Sequence, residues 1–136
     1  IVPNYTEAVF LAGKYTDKDV LTREEADDLA RTLHGYGAQS VVITSINIEG
    51  QTSTLMLDGG DDRISVFPYT EIPVRFPGTG DIFSAVLIGR YRSGHSMEDS
   101  VQAAMRTVEE LIDLNKDNAD KYKGIPLEQY IEVITK

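Results

Sequence analysis

Four consecutive residues, Gly78-Thr79-Gly80-Asp81, carry the strongest chemical signal in the chain. Two glycines make a turn, and an apolar run with helical spacing follows at once. A glycine turn at a helix start leaves several backbone N–H groups unpaired and facing outward, and the positive end of the helix dipole adds to them. Such a place suits an anion, above all a phosphate. Asp81 sets a carboxylate beside it. A carboxylate so placed can take the proton of an attacking hydroxyl while the amides hold the phosphoryl group under attack. The blander reading is a tight turn with Asp81 capping the helix.

Two other sets have chemistry to offer. Asn4 and Glu7, three residues apart at the start of a helix, can both face the space beyond a strand's carboxyl end, where α/β sheets bind ligands. A glutamate there can hold a hydrated Mg²⁺, which takes one or two carboxylates and keeps its waters. Alternatively, Asn4 caps the helix and Glu7 closes a capping box. Thr44-Ser45 puts two hydroxyls at the expected end of a buried strand, on the same ligand side. Hydroxyls at strand ends are common in ordinary loops. Weaker candidates are Asp58, Asp61 and Asp62, which lack the alternating spacing of a calcium loop and read as a hairpin tip. Arg75 suits a phosphate or a surface strand equally. His34 and His95 have no partner spacing that suggests a metal site. Glu109 and Glu110 read as solvated charge.

The elements that must position these groups follow from periodicity. Ile1-Val2 reads as a strand end, and Glu7 to Leu11 as a short helix closed by Gly13. Thr22-Arg23-Glu24-Glu25 fits a capping box, with Ala26, Leu29, Ala30 and Leu33 as the apolar stripe behind it. Gly35 and Gly37 end that helix. The β-branched run Val41-Val42-Ile43-Thr44 predicts a buried strand. Ser53 to Leu57 and Arg63 to Phe67 predict a hairpin around Asp58-Gly59-Gly60-Asp61-Asp62. After the glycine turn, a helix apolar on most sides, and so expected to be central, runs to about Arg92. Ser96 caps another with the stripe Val101, Met105, Val108, Leu111 and Ile112. A polar loop is expected over 115–124, and Pro126 opens a last helix. The pattern predicts an α/β fold, with a mixed sheet covered by helices and a hairpin.

The chain has 136 residues, enough for one domain, and 41% are hydrophobic, which excludes wholesale disorder. A net charge of −9 argues against nucleic acid as a partner, though not against a nucleotide bound at a local site. The absence of cysteine excludes disulfides, thiolate zinc sites and cysteine nucleophiles. No apolar run approaches the roughly 20 residues that span a bilayer, and no leader is evident. A cytoplasmic protein with no membrane partner is expected. Ile1-Val2-Pro3 reads as a strand entered part-way, which suggests a piece of a longer chain.

Phe76-Pro77-Gly78-Thr79-Gly80-Asp81-Ile82-Phe83-Ser84-Ala85 resembles the signature of the ribokinase-like superfamily, and within it the pyridoxal (vitamin B6) kinases. Asn4-Tyr5-Thr6-Glu7 resembles a second motif of that superfamily, with Val2 where a threonine often stands. Thr44-Ser45 resembles a third, and the three occur in the family's order. The resemblance implies a mostly parallel sheet and makes residues 1–136 the C-terminal part of a single ribokinase-like kinase domain, with the N-terminal half outside it. It implies Asp81 as catalytic base and Gly78, Thr79 and Gly80 as anion hole. Asn4, Thr44 and Ser45 would contact ATP, and Glu7 would hold Mg²⁺ through water. The implied reaction is ATP-dependent phosphorylation of the 5′-hydroxyl of pyridoxal, pyridoxine or pyridoxamine, by a homodimer when full length. The rivals are a hydroxymethylpyrimidine kinase of thiamine synthesis, many of which have cysteine where Asp81 stands, and a nucleotide-binding module without turnover.

Overall fold

A computed structural model describes residues 1–117 and 124–136, and its backbone falls into two compact units, Ile1–Glu71 and Ile72–Lys136. In the first, Asn4 starts helix α1 (Tyr5–Ala12), which Gly13 ends at φ 66°. Thr22 starts α2 (Arg23–Gly35) with the capping box its sequence predicts: Thr22 Oγ1 accepts from the Glu25 amide at 3.1 Å, and Glu25 Oε1 from the Thr22 amide at 3.0 Å. Each such cap contributes about 1 kcal/mol. The stripe Ala26, Leu29, Ala30 and Leu33 is buried.

Three strands follow, β1 (Val41–Ile48), β2 (Gln51–Asp58) and β3 (Arg63–Pro68), paired antiparallel in that order. The expected hairpin is β2–β3. A second hairpin, β1–β2, turns through Glu49 and Gly50, both at positive φ (53° and 92°), as a two-residue turn matched to strand twist requires. The expected strand end over Ile1-Val2 is instead a short parallel run. Ile1 and Pro3 carbonyls accept from the β1 amides of Val42 (2.9 Å) and Thr44 (3.0 Å). The bridges Asn4–Thr44 and Leu21–Ile48 are also parallel. Val41, Ile43, Ile46, Ile48, Leu55 and Leu57 form one core with the inner faces of α1 and α2.

The second unit is helical. Helix α3 (Thr79–Arg92) and helix α4 (Met97–Asn115) pack together across a short connection, and Ser96 Oγ caps α4 by accepting from the Asp99 amide at 3.0 Å. Helix α3 buries Ile82, Phe83, Val86 and Leu87 but leaves Ile88 and Tyr91 about half exposed (55% and 51%), so its second apolar side is uncovered in this chain. Asn115 is buried at the end of α4. Its Nδ2 donates to the Leu111 carbonyl at 2.8 Å, and its Oδ1 accepts from the Tyr130 hydroxyl at 3.3 Å. Pro126 precedes a 3₁₀ turn (Leu127–Gln129), and one short helix, α5 (Ile131–Ile134), completes the chain. Most of the loop expected over 115–124 lies outside the described residues. Among the described residues no helix is long and apolar enough to cross a membrane.

Candidate active site

Helix α3 begins at the glycine turn. Gly78 is its N-cap at φ 85°, ψ 2°, a left-handed conformation that costs a residue with a side chain roughly 1–2 kcal/mol. The first helical hydrogen bond runs from the Ile82 amide to the Gly78 carbonyl at 3.1 Å. The amides of Thr79, Gly80 and Asp81 precede it and have no carbonyl four residues back within the helix. Among the described residues no side chain caps this end. Asp81 is the third residue of the helix rather than its cap, and its side chain is exposed and without a partner among the described residues. The capping reading of Asp81 is therefore not met. Open amides and an uncommitted carboxylate stand within one turn of each other.

Two contacts shape that turn from behind. Ser84 Oγ donates to the Gly80 carbonyl at 3.0 Å. Gly124, at φ 73°, lies so close to the loop that a Cβ there would stand 3.1 Å from the Pro77 carbonyl. Gly80 itself is different: a Cβ built on it meets nothing within 4 Å. Arg75, shortly before the loop, is exposed.

In the first unit, Asn4 and Glu7 form a reciprocal capping box. Asn4 Oδ1 accepts from the Glu7 amide, and Glu7 Oε2 from the Asn4 amide, both at 2.9 Å. The box occupies one oxygen of Glu7 and fixes the carboxylate's orientation. Oε1 has no partner among the described residues and suits a bound water. The bridge between Asn4 and Thr44 sets the start of α1 beside the middle of β1. The structure thus brings Asn4, Glu7, Thr44 and Ser45 together.

Thr44 and Ser45 do not end a strand as their sequence suggests. β1 continues to Ile48, and the pairing shifts register between Ile43–Leu55 and Ile46–Ser53, so that two residues of β1 oppose Thr54 alone. This is a β-bulge. Ser45 takes φ 56° in it and is exposed, while Thr44 is half-buried. The bulge turns both hydroxyl residues out of the strand's alternation, as a strand end would.

Asp58, Asp61, Asp62 and His34 have structural uses. Asp58 Oδ1 accepts from the Gly60 amide (2.9 Å), Asp61 Oδ1 from the Arg63 amide (3.2 Å), and Asp62 pairs with Arg31 (2.8 Å). The Arg31 guanidinium, by hydrogen bond and charge, holds the Asp62 carboxyl below its usual pKa. His34 Nδ1 lies 2.6 Å from the Ala38 carbonyl. Among the described residues no three His, Cys, Asp or Glu side chains stand together as metal ligands.

The sequence model of the phosphomethylpyrimidine kinase family matches residues 1–126. The chain belongs to that family. Its relatives divide by substrate. A cytidine kinase of Thermococcus kodakarensis is 29% identical over 113 residues, covering 82% of this chain and 36% of its own length. A crystal structure from Bacteroides thetaiotaomicron, obtained with pyridoxal and carrying a provisional phosphomethylpyrimidine kinase assignment, superposes with a TM-score of 0.89 at 28% identity. It covers all of this chain and 49% of the other. Pyridoxal kinase from Leishmania donovani, in complex with ADP and ginkgotoxin, superposes with a TM-score of 0.77 at 26% identity, covering 98% and 46%. The chain spans about a third to a half of the length of these relatives. The ribokinase-like α/β fold expected from the glycine motif is the fold these family structures have.

Proposed function

We propose that this chain is the C-terminal part of a single ribokinase-like kinase domain that phosphorylates the 5′-hydroxyl of a vitamin B6 compound with ATP. The observation that carries the reading is the start of α3, where three open amides follow a left-handed glycine and an uncommitted Asp81 carboxylate lies on the same turn. Asp81 accepts the proton of the substrate's primary hydroxyl. The oxygen attacks the γ-phosphorus in line, the bond from phosphorus to the bridging oxygen breaks, and ADP leaves with the electron pair. The amides of Thr79, Gly80 and Asp81 stabilise the transferring group, since phosphoryl transfer depends mainly on positioning and electrostatics. Gly78 sets their direction. Asn4, Thr44 and Ser45 contact the nucleotide. Glu7, oriented by its cap, holds a Mg²⁺-bound water, and the ion's chemistry is charge neutralisation on the phosphates.

Two observations support pyridoxal as the substrate class: the Bacteroides thetaiotaomicron structure with pyridoxal and the pyridoxal kinase from Leishmania donovani both share the fold. The family model supports a second reading, a hydroxymethylpyrimidine-type acceptor, and the cytidine kinase shows that a nucleoside also occurs among relatives. Each of these acceptors offers a primary hydroxyl, so the role of Asp81 is common to all three. In the full-length protein, Asp81→Asn is expected to leave ATP binding unchanged and to cut turnover roughly 10²–10⁴-fold, the value of a positioned base. Turnover within a few-fold of the parent would overturn the role of Asp81.

A further inference from the structure

Four residues other than glycine hold positive φ among the described residues: Tyr15, Ser45, Glu49 and Asp62. Tyr15 lies in a connection, and Glu49 and Asp62 lie in the two hairpin turns. Ser45 alone does so inside a strand. A residue held there needs its surroundings to hold it.

Across the sheet from Ser45 stands Tyr69, one residue beyond β3. Its backbone extends the ladder: the Tyr69 amide donates to the Thr52 carbonyl at 3.0 Å. Gln51 Nε2 donates to the Tyr69 carbonyl at 2.9 Å. Both ends of its peptide are thereby tied to β2, and the ring reaches back over that strand. The Tyr69 hydroxyl donates to Ser45 Oγ at 3.4 Å. Burial, first of all, pushes the Tyr69 phenol's pKa up. The contacts with the Ser45 side chain and backbone oppose the shift, and the charge of Glu71 adds to it. The phenol, protonated at neutral pH like any tyrosine, is the donor in this contact.

A serine hydroxyl has one proton and two lone pairs. With a lone pair occupied by Tyr69, the Ser45 proton is directed away from the ring. We propose that Tyr69 is a positioning residue for the nucleotide: it fixes Ser45 in its bulge as a hydrogen-bond donor aimed at a phosphate oxygen. The proposal rests on the reading of Ser45 as an ATP contact. Tyr69 touches neither the nucleotide nor the reacting atoms in this role.

The test is steady-state kinetics of the full-length protein with ATP varied. Tyr69→Phe is expected to raise the KM for ATP roughly 3- to 10-fold, the worth of one ordinary hydrogen bond. It should leave kcat and the KM of the hydroxyl substrate within twofold. A merely structural role would lower Tm and kcat together instead. Ser45→Ala should raise the KM for ATP at least as much, and adding Tyr69→Phe to Ser45→Ala should change nothing further. If Ser45→Ala weakens ATP while Tyr69→Phe does not, or if Tyr69→Phe acts equally in both backgrounds, the positioning role is overturned and the reading of Ser45 stands. If Ser45→Ala itself is silent, the reading of Ser45 fails and the proposal fails with it, whatever Asp81→Asn shows. Should Tyr69→Phe not fold, 4-aminophenylalanine placed at position 69, which keeps an N–H donor where the hydroxyl stands, must bind ATP more tightly than Tyr69→Leu. Equal affinities would refute the role.

Discussion

Replacing Gly80 by alanine should separate stability from nucleotide binding. Gly80 is the second residue of α3, its φ is not positive, and a Cβ there meets nothing within 4 Å. Nothing among the described residues requires glycine at this position. Alanine in a helix is favoured over glycine by about 0.5–1 kcal/mol, with less gained in the first turn. Gly80→Ala is therefore expected to hold or raise Tm. A phosphate held by the loop amides would meet the new methyl group, and an affinity loss of tenfold or more, about 1.4 kcal/mol, should follow. Gly78→Ala is the internal comparison. Its Cβ is equally unobstructed, but its φ of 85° leaves backbone strain of about 1–2 kcal/mol, so it lowers Tm by a few degrees. Calorimetry on both variants and the KM for ATP of the full-length protein are the measurements. If Gly80→Ala binds ATP within twofold of the parent, the phosphate does not approach this loop, and the anion-hole reading is refuted while the helix geometry stands.

In competition among pyridoxal, hydroxymethylpyrimidine and cytidine, the full-length protein should show its highest kcat/KM with pyridoxal. A tenfold preference for either rival would transfer the substrate class and leave the roles of Asp81 and the glycine loop unchanged. The polar cluster of the first unit makes a prediction about acid stability. Asp28 accepts from the Tyr15 hydroxyl at 2.7 Å and from Lys14 Nζ at 3.1 Å, and its pKa is lowered from 3.8, first by Tyr15 and then by Lys14. A folded carboxyl that binds its proton less tightly than the unfolded one stabilises fully above pH 3.8, and that stabilisation drains as the pH falls through the lowered folded value. Tyr15→Phe should flatten the fall of Tm across that range, and an unaltered slope would show that Tyr15 does not hold Asp28. The Tyr15 phenol, pushed up to about 12 chiefly by its hydrogen bond to Asp28, also stabilises, with the opposite pH dependence. Its share is complete below pH 10 and is lost as the pH rises toward 12.

The parts legible in the sequence are those whose signal is local. Thr22 and Glu25 sit three apart and bond to each other's backbone, so their capping box is spelled out in four letters. Asn4 and Glu7 behave likewise, and the plain capping reading of that pair describes the structure whatever else Glu7 does. Gly78-Thr79-Gly80-Asp81 starts a helix where the apolar run predicts one. The continuation of β1 was hidden because Thr44-Ser45 interrupts the alternation, which resumes in the opposite phase at Ile46. The turn after it carries one glycine, and Glu49 supplies the other positive φ without any sequence signal. The exposed side of α3 was illegible because periodicity reports which residues are apolar, not which side is covered. Tyr69 was missed altogether: its partner is 24 residues away, and no local pattern records a bond across a sheet.

The bulge in β1 has a meaning for how this sequence can drift. Val41 and Ile43 enter the core before it, Ile46 and Ile48 after it, odd numbers giving way to even. Remove either Thr44 or Ser45, and Val, Ile, Ile and Ile fall on alternate positions of an unbroken strand, with the same four side chains in the core and no left-handed serine. Loss of one codon thus leads to a flatter sheet, whereas recovery requires an insertion at one defined place.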